Sequence, residues 1–205
     1  MISDWRVKFA APLPFFFVQL AAYPQGNNQY ANIRWAQVAA LALPQVAMAS
    51  AIDLGDPQSP AGSIHPRNKQ AVGARLSLAV RNVLYSEDID WRGPTANGVS
   101  IVPLGASQFQ LTLAFNNTLG SLVYRDPESC SKCCSGGQDP FEVLGSDSKW
   151  VLGSSAVGAS TVTVKATLAS GVKPVGVRYA WTDYPECILY DSQNSLPSTP
   201  WQAHF

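Results

Sequence analysis

The sequence has few charged residues and no excess of either sign. Its 205 residues include 14 lysines and arginines and 14 aspartates and glutamates, and no run of like charge occurs. Proteins that bind nucleic acids or anionic membrane surfaces electrostatically usually carry a basic patch or stripe. We therefore predict neither nucleic acid nor an anionic membrane surface as a partner.

Two further absences narrow the class of protein. No continuous apolar run reaches the roughly 18 residues that a membrane-spanning helix needs, so we expect no membrane span. The cysteines include a Cys-x-x-Cys pair at Cys130 and Cys133, but no second pair and no His-x-x-x-His completes the four ligands of a structural zinc. We accordingly predict no metal and no cofactor.

The first 22 residues allow two interpretations. Arg6 and Lys8 followed by an apolar run resemble the start of a secretory signal peptide. Pro12 and Pro14 interrupt that run, however, and "PFFFVQL" (14–20) is a short aromatic and β-branched block typical of a buried strand. We favour the strand.

The next segments alternate between helix and strand patterns. "YANIRWAQVAALAL" (30–43) and residues 68–85 have helical spacing, while "QVAMASAID" (45–53) is typical of a strand covered on both faces. The first helix is predicted to bury Ile33, Ala36, Val38, Ala40, Leu41 and Leu43, and the second Val72, Leu76, Val80 and Val83, with Arg75 and Arg81 pointing outward. This order predicts an α/β layered domain with a parallel sheet.

Composition changes near "SEDIDWRGPTANG" (86–98), where charge, glycine and proline gather. Beyond it, segments such as "QFQLTLAF" (108–115) and "STVTVKATL" (160–168) alternate or are β-branched, as short antiparallel strands do. We therefore predict two domains, an α/β domain over residues 1–88 and a small β-rich, sandwich-like domain over 89–205.

His65 lies in the loop that leaves the strand ending at Asp53. Ligands of open α/β sheets gather at the carboxyl ends of strands, so this loop is a candidate site. Asp53 and Asp56 are nearby carboxylates that could orient the imidazole, as in a catalytic triad. The alternative is a histidine that only hydrogen-bonds within its loop, and the pattern of residues alone favours that alternative.

The segments "SIHPRNKQ" (63–70), "PFFFVQLAAY" (14–23), "AIDLGDP" (51–57) and "VRYAW" (177–181) resemble the later part of the sialate O-acetylesterases, members of the SGNH-hydrolase superfamily. The resemblance implies that residues 1–88 are the C-terminal portion of an SGNH-type three-layer domain with a parallel sheet. It also implies hydrolysis of O-acetyl esters of sialic acids or sialoglycoconjugates, with His65 as the general base for a serine. Gly62 stands where the superfamily has its usual aspartate, so Asp56 and then Asp53 are our candidates for the acidic partner.

Other parts of the family's machinery are missing from these residues. The sequence contains neither the Gly-Gln-Ser-Asn block of the nucleophile nor a Gly-x-Ser-x-Gly motif, and the serines of "GSSAVG" (153–158) are typical of turns. We expect the chain to represent the later part of the enzyme and to be inactive alone. The alternative is a non-catalytic carbohydrate-binding or regulatory product. Arg67 is a candidate ligand for the sialate carboxylate, although a solvated residue near the helix start is the interpretation we favour.

The resemblance implies a lysosomal or secreted protein, in which cysteines form disulfides. We predict that Cys187 is linked to one of Cys130, Cys133 and Cys134, and we note a glycosylation sequon at Asn116. The aromatic residues of the second half either form its core, which we favour, or stack on sugars; these residues are Trp150, Tyr179, Trp181, Tyr184 and Trp201.

Overall fold

A computed structural model describes residues 1–24 and 29–205 of the chain. Within these residues, the first half contains three helices and two strands, which are α1 (Ile2–Lys8), β1 (Phe15–Gln19), α2 (Tyr30–Val38), β2 (Val46–Ser50) and α3 (Lys69–Tyr85). A short 3₁₀ turn (Ala39–Ala42) follows α2. The described residues contain no helix long and apolar enough to cross a bilayer.

The second half consists mainly of strands. They are β3 (Thr95–Pro103), β4 (Gln108–Asn116), β5 (Leu122–Arg125), β6 (Phe141–Gly145), β7 (Trp150–Leu152), β8 (Ser154–Val157), β9 (Thr161–Thr167), β10 (Pro174–Tyr179), β11 (Ile188–Asp191) and β12 (Trp201–His204), with one helical turn, α4 (Cys133–Gly136), between β5 and β6.

Strands β1 and β2 pair in parallel, from Phe15 with Val46 to Gln19 with Ser50. The strand predicted at 14–20 is thus confirmed, and every residue of β2 is buried, as predicted for a strand covered on both faces. Helix α3 packs against both strands. Within the described residues this sheet has only these two strands, so the three-layer SGNH arrangement stays a prediction.

The buried face predicted for residues 30–43 is wrong in part. Ile33 of α2 is 46% exposed and Leu41 of the 3₁₀ turn 37% exposed, whereas Ala31 and Arg34 are fully buried; the rest of the predicted face is half-buried at Val38, Ala40 and Leu43 and exposed at Ala36. The burial of the charged Arg34 side chain is tolerated because its guanidinium donates hydrogen bonds to backbone carbonyl oxygens at the end of β1 and in a loop of the second half. These carbonyls replace the water that a charged group otherwise requires.

Helix α3 begins where the sequence predicts, because the side chain of Asn68 caps it by accepting a hydrogen bond from the backbone N–H of Ala71. The helix ends at Tyr85, and the residue after it takes the left-handed conformation that often closes a helix. The prediction that Arg75 points outward is wrong, because its guanidinium turns inward to the carboxylate of Asp53. Only Ala79 of this helix is fully buried, and the predicted apolar stripe is half-buried.

Two four-stranded antiparallel sheets, in the orders β3-β4-β9-β8 and β12-β10-β6-β7, build the second half. Alternate residues of β4 are buried, which is the period-two pattern of a strand with one covered face. The inner faces of the two sheets share one apolar core. Its members include Leu111, Leu113, Val162, Val164, Phe141, Val143, Val177 and Tyr179. A separate pair, β5 with β11, is also antiparallel.

Candidate functional site

The loop between β2 and α3 holds the backbone of His65 and exposes its side chain. The His65 N–H donates to the carbonyl oxygen of Gly62 (2.9 Å), and the hydroxyl of Ser59 donates to the carbonyl oxygen of His65 (2.6 Å). Gly62 has a φ of +96°, which a residue with a side chain rarely adopts. Pro66 is buried directly after the exposed histidine, so the imidazole extends from an anchored turn.

Asp56 lies on the same loop and binds Arg67. The Arg67 Nε donates to Oδ2 (2.6 Å) and its Nη2 to Oδ1 (3.0 Å), and the Arg67 backbone N–H also approaches Oδ2 (3.3 Å). The side-chain hydrogen bond from Arg67 lowers the pKa of the Asp56 carboxyl below its ordinary value. The guanidinium that we considered for a sialate carboxylate is therefore engaged by a carboxylate of the chain itself.

Asp53 is buried between the two halves of the chain. Its two carboxylate oxygens each accept a hydrogen bond from Arg75 (2.6 Å), and the hydroxyl of Tyr190 in β11 donates to Oδ2. The carbonyl oxygen of Asp53 accepts from the backbone N–H of Glu128 (3.0 Å). Asp53 thus ties β2, α3 and the second half together.

These contacts bear on the pairing expected for His65. The structure gives Asp53 and Asp56 arginine partners, and within residues 1–24 and 29–205 no side chain forms a hydrogen bond or ion pair with the His65 imidazole. The structure therefore brings His65, Asp56 and Arg67 onto one loop without joining the ring to either carboxylate.

Glu128 lies beside the candidate loop, a contact that the sequence does not predict. Both of its carboxylate oxygens accept from the Asn68 Nδ2 (3.0 and 2.9 Å), and together with Asp56, Arg67 and Ser129 these residues line a cleft of about 310 Å³. Glu128 comes from the second half, 60 residues after Asn68. No local pattern in the sequence marks a contact of that separation.

Two disulfides hold the segment that carries Glu128. One joins Cys130 to Cys133, and the other joins Cys134 to Cys187, so Cys187 is linked to the 130–134 cluster. The carboxylate of Asp126 accepts hydrogen bonds from the backbone N–H groups of Cys134 (2.7 Å) and Lys132 (2.8 Å), and these bonds lower its pKa.

Four of the five aromatic residues considered above fall into two groups, and the fifth, Trp150, lies against the guanidinium of Arg178. Trp201 and Tyr179 stack with an interplanar angle of 27°, and both rings contact Phe141 in the core. Trp181 is half-buried at the rim of a second, larger groove, with Tyr184 near it. The core interpretation therefore fits the first group, while Trp181 and Tyr184 have a surface available to a ligand.

Asn116, the predicted glycosylation site, is exposed at the end of β4. Its side-chain oxygen accepts a hydrogen bond from the Asn97 Nδ2 (2.6 Å). Its exposure leaves the position accessible, and its modification stays a prediction.

Comparison with known proteins gives matches over the whole described fold. Residues 101–205 match the family model of the sialate O-acetylesterase C-terminal domain. The chain is 31% identical to a sialate O-acetylesterase of Mus musculus and 30% identical to one of Homo sapiens. Each alignment covers 99% of this chain but only 39% and 41% of the relative, respectively.

A crystal structure of a carbohydrate acetylesterase from Xanthomonas citri is similar to this chain. The TM-score is 0.76 at 30% sequence identity, and the match covers 99% of this chain and 44% of that protein. The chain thus spans about two fifths of the length of the proteins that it matches.

Proposed function

Because this chain belongs to the sialate O-acetylesterase family, we propose that it forms the histidine-bearing part of an esterase that removes O-acetyl groups from sialic acids. The observation that carries the proposal is the β2–α3 loop, which anchors the backbone of His65 and exposes its side chain at the position of the family's His-Pro block. The substrate would be an O-acetylated sialic acid or a sialoglycoconjugate.

In this mechanism His65 acts as the general base. Its imidazole accepts the proton of a serine hydroxyl as the serine oxygen bonds to the carbonyl carbon of the acetyl ester. It then returns the proton to the sugar oxygen as the bond between that oxygen and the carbonyl carbon breaks. A second cycle with water releases acetate and regenerates the serine. The serine and the oxyanion donors belong to sequence blocks that these 205 residues do not contain, so a further segment must supply them.

For the acidic partner we propose Asp56 first. It lies on the loop of His65, and its carboxyl, like that of an ordinary aspartate, is ionised at neutral pH, as stabilisation of an imidazolium requires. To pair with His65, the Asp56 carboxylate must accept a hydrogen bond from the imidazole in addition to, or in place of, its hydrogen bonds from Arg67. We propose that this occurs when the segment with the serine is present. Asp53 is the second candidate, and its burial between Arg75 and Tyr190 favours a structural role.

The proposal extends to architecture and location. We propose that residues 1–88 complete an SGNH-type three-layer domain and that residues 89–205 form a separate β-rich domain. A lysosomal or secreted location is supported by the two disulfides, which persist in oxidising compartments, and by the exposed sequon at Asn116.

Acetate release from an O-acetylated sialic acid tests the proposal. The 205-residue chain is assayed beside a longer protein in which an upstream segment supplies the Gly-Gln-Ser-Asn block. We expect turnover only from the longer protein, because a base without its nucleophile cannot form the acyl-enzyme. Absence of turnover in a folded longer protein would favour the alternative, a non-catalytic carbohydrate-binding or regulatory product.

A further inference from the structure

A groove of about 840 Å³ opens beside the segment from Ala180 to Cys187; its lining comes from the second half, except for Asn32 of α2. Its lining combines half-buried aromatic side chains with fixed polar groups, a combination typical of small-molecule sites. Its lining includes Asp139, Glu142, Arg178, Trp181, Tyr184 and Glu186. We name this surface the Trp181 groove.

Arg178 occupies the floor of the Trp181 groove in a fixed orientation. Its Nε and Nη2 donate to the two carboxylate oxygens of Glu142 (2.7 and 2.8 Å). The guanidinium carbon lies 4.2 Å from the ring centre of Trp150 and 5.7 Å from that of Trp181, which are cation–π distances. Within the described residues Nη1 has no hydrogen-bond acceptor, so its two N–H groups are free to donate to a ligand.

The segment that carries Trp181 is fixed at several points. Buried Arg34 donates to the carbonyl oxygens of Thr182 (2.8 Å) and Asp183 (2.5 Å), and the Cys134–Cys187 disulfide closes the far end. The Trp181 ring also packs against Trp35 of α2, with ring centres 6.0 Å apart. A wall held in this way loses little conformational entropy when a ligand binds.

The aromatic ring and the polar groups of the groove match the apolar C–H face and the hydroxyl groups of a sugar ring, respectively. The axial C–H groups of a pyranose pack on the face of an indole, where the π electrons concentrate negative charge. Its hydroxyl groups both donate and accept hydrogen bonds, so they can accept from Arg178 Nη1 and donate to the remaining lone pairs of Glu142. A purely apolar ligand would leave the N–H groups of Arg178 Nη1 and the remaining lone pairs of Glu142 without hydrogen-bond partners.

The charge of the groove selects among sugars. Among the described residues that line it, Asp139, Glu142 and Glu186 supply three carboxylates and Arg178 one guanidinium, while the cation of Arg34 lies buried behind the wall. A carboxylate on the ligand would be repelled, and the partial burial of Glu142 and Arg178 limits screening by salt. We propose that the Trp181 groove binds a neutral pyranose residue of a glycan and discriminates against acidic sugars.

The groove adjoins the loop of the candidate esterase site. The Tyr184 hydroxyl contacts the hydroxyl of Ser129, which lines the cleft of Asp56 and Arg67. Gly55, which directly precedes Asp56, packs against the Tyr184 ring, because a Cβ added to this glycine would lie 3.0 Å from the ring. No other side chain therefore lies between Gly55 and Tyr184. A neutral sugar in the groove therefore lies next to the histidine-bearing loop. Binding in the groove does not depend on the proposed esterase activity.

Saturation-transfer-difference NMR on the 205-residue chain tests the inference. The probes are methyl β-D-glucopyranoside, whose ring C–H groups are all axial, and methyl β-D-glucuronide, which differs by a carboxylate at C6. We expect saturation transfer to the glucoside, a signal at least fivefold weaker in Trp181→Ala, and little signal for the glucuronide. Glu186→Gln should raise the glucuronide signal, because it removes one repelling carboxylate.

Trp5→Ala is the matched control, because Trp5 is 45% exposed on α1, outside the lining of the groove. It should leave the glucoside signal unchanged, and unaltered melting temperatures show that the variants are folded. The inference is overturned if the glucoside shows no saturation transfer, if Trp181→Ala has no more effect than Trp5→Ala, or if the glucuronide binds as well as the glucoside. The readout is binding, so these outcomes leave the proposed esterase function unaffected.

Discussion

Arg34 in helix α2 donates a hydrogen bond of 2.8 Å to the carbonyl oxygen of Thr182, 148 residues further along the chain. The same guanidinium donates to the carbonyl oxygens of Leu20 (3.0 Å) and Asp183 (2.5 Å). Its burial lowers the pKa of Arg34 to about 10, so the group remains charged at neutral pH. One buried cation therefore joins the end of β1 to the segment that forms the Trp181 groove.

Replacing Arg34 should destabilise the whole chain. In Arg34→Ala several buried carbonyl groups lose their donor and a cavity opens, so we expect the free energy of unfolding to fall by about 3 kcal/mol or more. Denaturant unfolding followed by tryptophan fluorescence measures the loss. Arg81→Ala is the matched control, because Arg81 is exposed and pairs with Glu87 at the surface, and it should cause little change. Equal losses in the two variants would contradict this prediction.

Asp191 should make the free energy of unfolding decrease as the pH falls into the acid range. Its carboxylate is buried, and burial alone raises the pKa, but backbone N–H donors of Asn194, Gly120 and Gln193 outweigh that effect and the net pKa is lowered. A lowered folded-state pKa contributes stability that is present above the unfolded-state value of about 4 and is lost as pH falls below it.

The check is to compare the free energies of unfolding of the wild type and Asp191→Asn at pH 6 and pH 3. Because asparagine does not ionise, the wild type should be the more stable protein at pH 6, and the difference should shrink at pH 3. A difference of the same size at both pH values would show that Asp191 is not the group responsible.

The two disulfides should contribute unequally to the free energy of unfolding. Removal of Cys134–Cys187 as a double serine variant should cost about 4 kcal/mol in the chain-entropy model, because its residues are 53 positions apart. The matched variant without Cys130–Cys133 opens a link between residues only three apart and should lose much less. Thermal unfolding ranks the variants, and mass mapping of a non-reduced digest checks the pairing. A peptide linking Cys187 to Cys130 or Cys133 would refute it.

Local patterns predict much of the secondary structure. The aromatic block at 14–20 and the apolar run at 45–53 become paired strands, Asn68 caps α3, and the alternation at 108–115 becomes β4. Each of these elements is determined by neighbouring residues, so its signal is contained in a short window of sequence.

Side-chain partners distant in the sequence could not be predicted in this way. Helical spacing places Arg75 on the outside of α3, but its guanidinium turns inward to the carboxylate of Asp53. In α2 the buried side chains include Arg34, whereas Ile33 is exposed. At the candidate site, the loop of His65 follows from the order of strand and helix. Glu128 does not, because it reaches the site from the other half of the chain.

Asp53 and Asp56 should respond differently to the same substitution. In Asp53→Asn the buried guanidinium of Arg75 loses its counter-charge, which typically costs about 3 kcal/mol or more, so this variant should be unstable. In Asp56→Asn, made in the longer protein with the serine block, we expect a lower kcat with a nearly unchanged melting temperature. If Asp56→Asn retains full kcat, Asp56 is not the acidic partner of His65.

Activity should depend on one of the two histidines. In the longer protein, His65→Ala removes the group that accepts the serine proton, and loss of one triad member typically lowers kcat by several orders of magnitude. Because the substituted group acts on the reacting atoms, KM should change far less than kcat. His204→Ala is the matched control, since His204 is exposed at the end of β12, and it should retain wild-type turnover. Acetate release that survives in His65→Ala would mean that another group serves as the base.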